Sequence, residues 1–203
     1  QEDFDKPMAR ARKATHEAVL DAAESLFFQD GYTGVSTRLI EEKTGLTRFT
    51  LQTSYGGKKA LFLKTLDCYL EHLIHGFLPS ADSNVLQSLA IWFEHQTRPE
   101  NRPGPNAQGC LIINTMTEFE RGDPDTDARI ERYFTELRKC FGGILTKGIA
   151  LGEVDPELDV AAKTELLVAT VLGMNMMLRA GSHSSAGRAM SISIAGMIRE
   201  WHS

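Results

Sequence analysis

The sequence predicts an all-α protein, with an N-terminal three-helix unit built on a helix-turn-helix and a larger helical body after it, about nine helices in all. Three observations point there. Apolar residues recur at helical spacing almost throughout, and no convincing run alternates with a period of two. Residues 36–61 read as two short helices separated by a glycine turn, with a lysine-started helix following.

Val19, Ala22, Ala23, Leu26 and Phe27 follow the spacing of an amphipathic helix that ends near Gly31. Ser36 or Thr37 caps the next helix, Leu39 and Ile40 face inward, and Gly45 stops it. Thr47 caps the third helix, whose inner face carries Leu51 and Tyr55. Gly56 and Gly57 then break the chain before a long helix with Phe62, Leu66, Tyr69, Leu70, Leu73, Ile74 and Phe77, closed by Pro79. Further helices are expected around 83–97 and 109–121, on either side of a proline-rich loop over 98–109. The turn Gly122-Asp123-Pro124 starts a long helix to about Leu151. Asp155-Pro156 reads as an N-cap with proline in the first helical position of a helix running to about Ala180. A last helix holds Met190, Ile194, Met197, Ile198 and Trp201.

The 203 residues divide naturally into a small domain over 8–57 and a larger one over 58–203. A chain of this size buries a core without metal or disulfide staples. Cys68, Cys110 and Cys140 are odd in number and unpatterned in spacing, which argues against a disulfide framework or zinc site and fits a reducing cytoplasm. No uncharged apolar stretch reaches about 18 residues, so no membrane span is expected. Arg10, Arg12 and Lys13 lack an adjoining apolar run, which argues against a secretory signal. The first residue is Gln1 rather than Met, so a few native residues are expected before it.

The net charge of −5 hides a segregation. Residues 6–60 hold nine Lys or Arg against six Asp or Glu, a balance of +3, and the rest of the chain carries −8. The basic part coincides with the helix-turn-helix, whose outer third-helix face presents Arg48, Phe49, Thr50, Gln52 and Thr53. Arg and Gln make bidentate contacts to guanine and adenine edges, and Thr offers a hydroxyl or a methyl. Thr37 and Arg38 can reach phosphates, and Lys58 adds a cation at a helix N-terminus. With Thr47 and Tyr55, these are the candidate DNA-binding residues. A plain solvated helix with ordinary polar residues is the competing reading.

Thr15 to Phe62 resembles the DNA-binding region of TetR/AcrR-family transcriptional regulators. The matching residues are Ala22-Ala23-Glu24-Ser25-Leu26-Phe27, Gly31-Tyr32, Thr33-Gly34-Val35-Ser36-Thr37, Ile40 to Thr47 and Lys58-Lys59-Ala60-Leu61-Phe62. The chain departs from that family at Phe49, where a small residue is usual, at Gln52, where a tyrosine is usual, and at Ser54, often an aromatic. Operator contacts therefore do not transfer wholesale, and Phe49 is free to pack on a thymine methyl. Gly109-Cys110-Leu111-Ile112-Ile113-Asn114-Thr115 is similar to the start of the sixth helix in the NemR-like subgroup. The resemblance implies a small-molecule pocket and a dimer interface in the C-terminal part.

Trp92, His95, Cys110, Asn114, Met116, Phe119 and Met174 are the candidate pocket residues; Phe93, Met176 and Met177 stand beside them, and ordinary core roles are the competing reading for all. Cys110 sits near a helix N-terminus, a position that favours thiolate chemistry, but cysteine is also among the most buried residue types. His16, His72, His75, His183 and His202 read as surface or helix-face residues, and His72 and His75 lack a third metal ligand. Small residues with Met and Ile in Val168–Met174 and Ala186–Met197 allow a four-helix bundle with a second copy, or packing within one chain.

The expected function is a homodimeric, ligand-responsive transcriptional regulator, a repressor released from a pseudo-palindromic double-stranded operator by a small molecule. No catalytic residue, metal or cofactor is expected, since no nucleophile–base set, phosphate loop or ligand cluster is present. A dimeric interaction protein that has lost specific DNA binding and, behind it, a helical enzyme are the alternatives.

Overall fold

Thr15 opens the first helix by accepting the Ala18 N–H on its hydroxyl at 3.2 Å. Starting from it, the computed structural model describes residues 15–98, 109–181 and 185–202. Within them lie nine α-helices and no strand. Arg10, Arg12, Lys13, His183 and the proline-rich segment 99–108 lie outside the described residues.

The first three helices are α1 (His16–Gly34), α2 (Thr37–Thr44) and α3 (Arg48–Tyr55). The regular turns of α1 are broken at Gly31, where φ is 69° and ψ 175°. Ser36 and Thr47 each cap the helix that follows, accepting the Leu39 and Thr50 amides at 3.1 Å. Gly45 and Gly56 close α2 and α3 in the left-handed conformation. Val19, Phe27, Ile40, Leu51 and Tyr55 turn into a shared core, which fixes α3 with its other face outward.

Helix α4 (Gly57–Gly76) runs from this unit into the larger body. There it meets α5 (Val85–His95), α6 (Leu111–Phe119), α7 (Pro124–Ala150), α8 (Val160–Arg179) and α9 (Ser185–Arg199). A ladder of ion pairs joins α4 to the start of α7: Lys59 with Asp123 at 2.7 Å, Asp67 with Arg129 at 2.6 Å, and Glu71 with Arg132. Partly exposed pairs of this kind contribute only about 0.2–1 kcal/mol each. Aromatic packing also ties α4 to α1 and α6: Phe62 of α4 lies 4.9 Å from Phe27 and 5.6 Å from Phe119, ring centre to ring centre.

Three details differ from the sequence reading. Asp155-Pro156 does not start α8; Asp159 caps it, accepting the Ala162 amide at 3.0 Å. Asp155 instead caps a tight turn through the Glu157 N–H, and its own N–H donates to the Trp201 carbonyl, which pins the segment to the end of α9. Helices α5 and α6 each begin two residues later than expected and end two earlier, and Trp201 lies in a turn beyond α9. Helix α8 is apolar and long enough to be weighed as a membrane span. It carries Lys163 and Glu165, and its Leu167, Val168 and Val171 are buried on its neighbours as in a core helix.

Candidate nucleic-acid interface and the cavity behind it

The outward face of α3 is built by the packing of its inward one. Leu51 and Tyr55 are buried, so Arg48, Phe49, Gln52 and Thr53 project to solvent, with Thr50 at the edge. Phe49 is 75% exposed, a large apolar ring with no intramolecular reason to face water. Thr47 and Thr50 hydroxyls pair at 3.0 Å, and the Thr53 hydroxyl donates to the Phe49 carbonyl at 2.9 Å. Gln52 leans over Gly57, where a Cβ would meet its Oε1 at 3.0 Å. Arg38 is exposed at the start of α2, beside half-buried Thr37.

Two of the expected DNA-contacting residues also make contacts within the chain. Tyr55 points inward, 7% exposed, stacked on His16 and hydrogen-bonded to its Nδ1 at 3.1 Å. It supports the helix from behind, because the aromatic ring is needed to cover the junction of α1 and α3. Lys58 is half-buried, with Nζ 4.3 Å from the centre of the Tyr32 ring. Burial pushes its pKa down, against the neighbouring Glu118 charge.

Glu118 closes the junction between the two parts of the molecule. Its carboxylate accepts the Tyr32 and Thr33 amides at 2.8 and 2.6 Å, two N–H groups that the break at Gly31 sets free. Burial pushes the Glu118 carboxyl up, but the bonds from Thr33 and Tyr32 and the charge of Lys58 outweigh it, and the net shift is downward. Phe119 stacks beside it on Tyr32 and Phe62. Asn114, about one turn earlier on α6, faces a cavity of about 250 Å³ at this junction, together with Gly31, Glu118 and Arg179.

A second cavity, about 320 Å³, lies within the larger body. Its wall takes Glu24 from α1, Tyr69, His72 and Leu73 from α4, Trp92 from α5, Cys110 at the N-cap of α6, Tyr133 and Leu137 from α7, and Val171 and Asn175 from α8. The Trp92 indole N–H donates to the Phe77 carbonyl at 2.8 Å, fixing the ring in the wall. Gly109 has φ +110°, and a Cβ there would lie 2.8 Å from the Asn175 carbonyl oxygen; glycine lets the start of α6 approach α8 and brings Cys110 to the cavity.

Of the seven residues expected at a pocket, Trp92 and Cys110 line this cavity. The others do not. Met174 is core, Phe119 belongs to the aromatic bridge, Asn114 lines the junction cavity, and His95 and Met116 are half-buried elsewhere. Cys110 is both buried in the core and part of the cavity wall. Glu24, Tyr69, His72, Tyr133 and Asn175 are not among the residues the sequence singles out for it.

A model of bacterial regulatory proteins of the TetR family matches residues 19–65, and a model of the tetracyclin repressor-like C-terminal domain matches residues 86–192. The HTH-type transcriptional repressor ComR of Escherichia coli K12 is 27% identical over 180 residues, covering 87% of this chain and 85% of its own. A TetR-family transcriptional regulator from Cytophaga hutchinsonii superposes with a TM-score of 0.80 at 18% identity, covering 92% of this chain and 94% of its own. The regulator CifR, as a cysteine mutant complexed with 26-bp double-strand operator DNA, superposes with a TM-score of 0.71 at 18% identity, covering 96% of this chain and 100% of its own. The chain belongs to the TetR family. It is a DNA-binding transcriptional regulator, with the all-α helix-turn-helix architecture of that family, and not an enzyme.

Proposed function

We propose that the protein acts as a homodimeric repressor that a small molecule releases from a two-fold-symmetric operator. The observation that carries this reading is the cavity, walled by six helices that include α1 of the DNA-reading unit. Two helices span the distance from cavity to reading unit. Helix α4 starts beside α3 and ends at the cavity with Gly76 and Phe77. Helix α6 starts at the cavity with Cys110 and ends at the Glu118 clamp on Tyr32 and Thr33. A ligand that binds two arrangements of these helices with different affinity shifts their balance, and with it the spacing of the two reading helices.

In this reading residues 8–57 read DNA and residues 58–203 bind effector and partner. Arg48, Phe49, Thr50, Gln52 and Thr53 address base edges; Thr37, Arg38, Thr47 and Lys58 address the backbone. The dimer is supported by an exposed stripe of small and apolar residues on the last two helices: Ala162, Leu166, Ala169 and Met176 on α8, and Ala189 and Ile192 on α9. Leu166, Met176 and Ile192 are 38%, 46% and 53% exposed. Close helix approach over such a stripe builds a four-helix interface and places two recognition helices about 34 Å apart. The repressor sign is supported by the likeness to ComR.

Selection from random DNA tests the reading. The expected product is a palindrome with half-sites about one helical turn apart. Enrichment of single, unpaired half-sites by a monomeric protein would sink it.

A further inference from the structure

The larger cavity is electrically one-sided. Its wall offers the rings of Tyr69, Phe77, Trp92 and Tyr133 and the imidazole of His72, and among the described residues neither a lysine nor an arginine lines it. Among the described lining residues one carboxylate stands in the wall, Glu24. Neighbouring acids on α4 are taken up by α7, Asp67 by Arg129 and Glu71 by Arg132, but among the described residues no hydrogen bond or ion pair engages Glu24. Burial pushes the Glu24 carboxyl up, the His72 imidazole pulls it back less, and Asp21 adds a further push. A carboxylate partly stripped of water, with the His72 imidazole nearby but no hydrogen bond or ion pair among the described residues, gains from a cation brought to it.

The helix ends at the cavity do not alter this sign. The C-terminal end of α4, at Gly76 and Phe77, presents the negative pole of its dipole, and the N-terminal end of α6, at Cys110, presents a positive one. The two oppose each other, so the Glu24 carboxylate sets the sign of the site. The surrounding aromatic faces add attraction for the same sign of ligand, and their apolar area accepts a hydrocarbon body. The volume suits a ligand of modest size.

We propose that this cavity selects an organic cation with an apolar or aromatic body, its charge placed between Glu24 and the ring faces. The proposal rests on the reading of the cavity as an effector site. Because Glu24 belongs to α1, three residues before Phe27 of the DNA-reading core, the ligand's charge would pull directly on the reading unit and not only on the helices behind it.

Three probes of similar shape test it by calorimetry on the full chain: benzyltrimethylammonium, its uncharged carbon isostere neopentylbenzene, and the anion phenylacetate. The expected order has the cation roughly tenfold or more tighter than the isostere, the size of a desolvated cation–π contact, with the anion weakest. In Glu24→Gln the cation should lose this advantage while neopentylbenzene binds as before. A thermal melt checks folding. If that variant does not fold, Glu24→Asp, which keeps the charge but withdraws it by one methylene, must narrow the preference. Isostere binding equal to or tighter than the cation's, a preference that survives Glu24→Gln, or no binding of the cation overturns the proposal. Addition of each probe to the complex with selected DNA separates the two readings. A cation that binds through Glu24 without releasing DNA sinks the effector reading alone; release by the neutral isostere alone sinks the ligand class and keeps the effector reading.

Discussion

Glu118 accepts the backbone N–H of Tyr32 at 2.8 Å across 86 positions of sequence, so the end of α6 completes the hydrogen bonding that the break in α1 leaves open. A Cβ at Gly31 would come within 2.8 Å of the same carboxylate. Glu118→Gln retains one acceptor oxygen and replaces the other with a donor that faces an amide. Stability should fall by about 1 kcal/mol at neutral pH, read from urea unfolding. The folded carboxyl lies below its ordinary value of 4.5, so this contribution is full above that value and fades as pH falls through the lower folded one. The two proteins should therefore converge in acid. Equal stability at pH 7 would contradict the clamp.

In the proposed reading Arg48 and Gln52 of α3 address base edges and Lys58 of α4 addresses the backbone. Arg48→Ala should cost about 1–3 kcal/mol and relax one position of the selected site, and Gln52→Ala should alter sequence preference. Lys58→Ala should weaken binding to every sequence and lower the salt slope by about 1. Fluorescence anisotropy with matched and mismatched duplexes at several salt concentrations separates these effects. Identical losses on all sequences for the three variants would refute the division of roles.

Asp123 caps α7 through the Thr126 amide at 2.9 Å and pairs with Lys59 at 2.7 Å. Lys59, ahead of the Thr126 bonds, holds its carboxyl down at about 2. Asp123→Ala should lose about 1 kcal/mol, the usual worth of a cap, whereas Asp123→Asn should retain most of it. The depressed value means that the ionic part is present above pH 3.8 and disappears as pH falls through about 2. The gap between wild type and Asp123→Asn should close over that window in acid melts, and a gap that widens there would reverse the assignment.

Ile192 is 53% exposed, so Ile192→Arg is expected to leave the fold of one chain intact. In a close-packed interface the same change buries an unpaired cation, and a dimer should weaken by about 3 kcal/mol or more, over 100-fold in dissociation constant. Sedimentation equilibrium measures it directly. Unchanged assembly would move the interface off α9.

The helices were legible because their signals are local. Ser36, Thr47, Asp123, Gly45 and Gly56 each act on residues within one turn, and each stands where its chemistry places it. Asp155-Pro156 carries the same local chemistry and misled, since a bond from Asp155 to the distant Trp201 carbonyl holds it in a turn. The cavity was barely legible for the same reason in larger form: Glu24 and Asn175 meet there from opposite ends of the chain. Tyr69 and Leu73 follow the apolar period of α4, and nothing in that period distinguishes a residue facing a void from one facing a neighbour. Phe119 shows the converse, an aromatic that looked like a ligand contact and spans the two parts of the protein.

Glu24 stands in the cavity wall although it belongs to the helix that opens the chain's DNA-reading half. In the proposed reading, where this cavity takes the effector, a boundary drawn at residue 57 cuts through the site. Grafting residues 58–203 onto another regulator's reading half would exchange the wall at Glu24 for whatever the new first helix supplies. Such a hybrid would inherit its response from both parents, and restoring the original ligand preference would require transplanting the inward face of α1 as well.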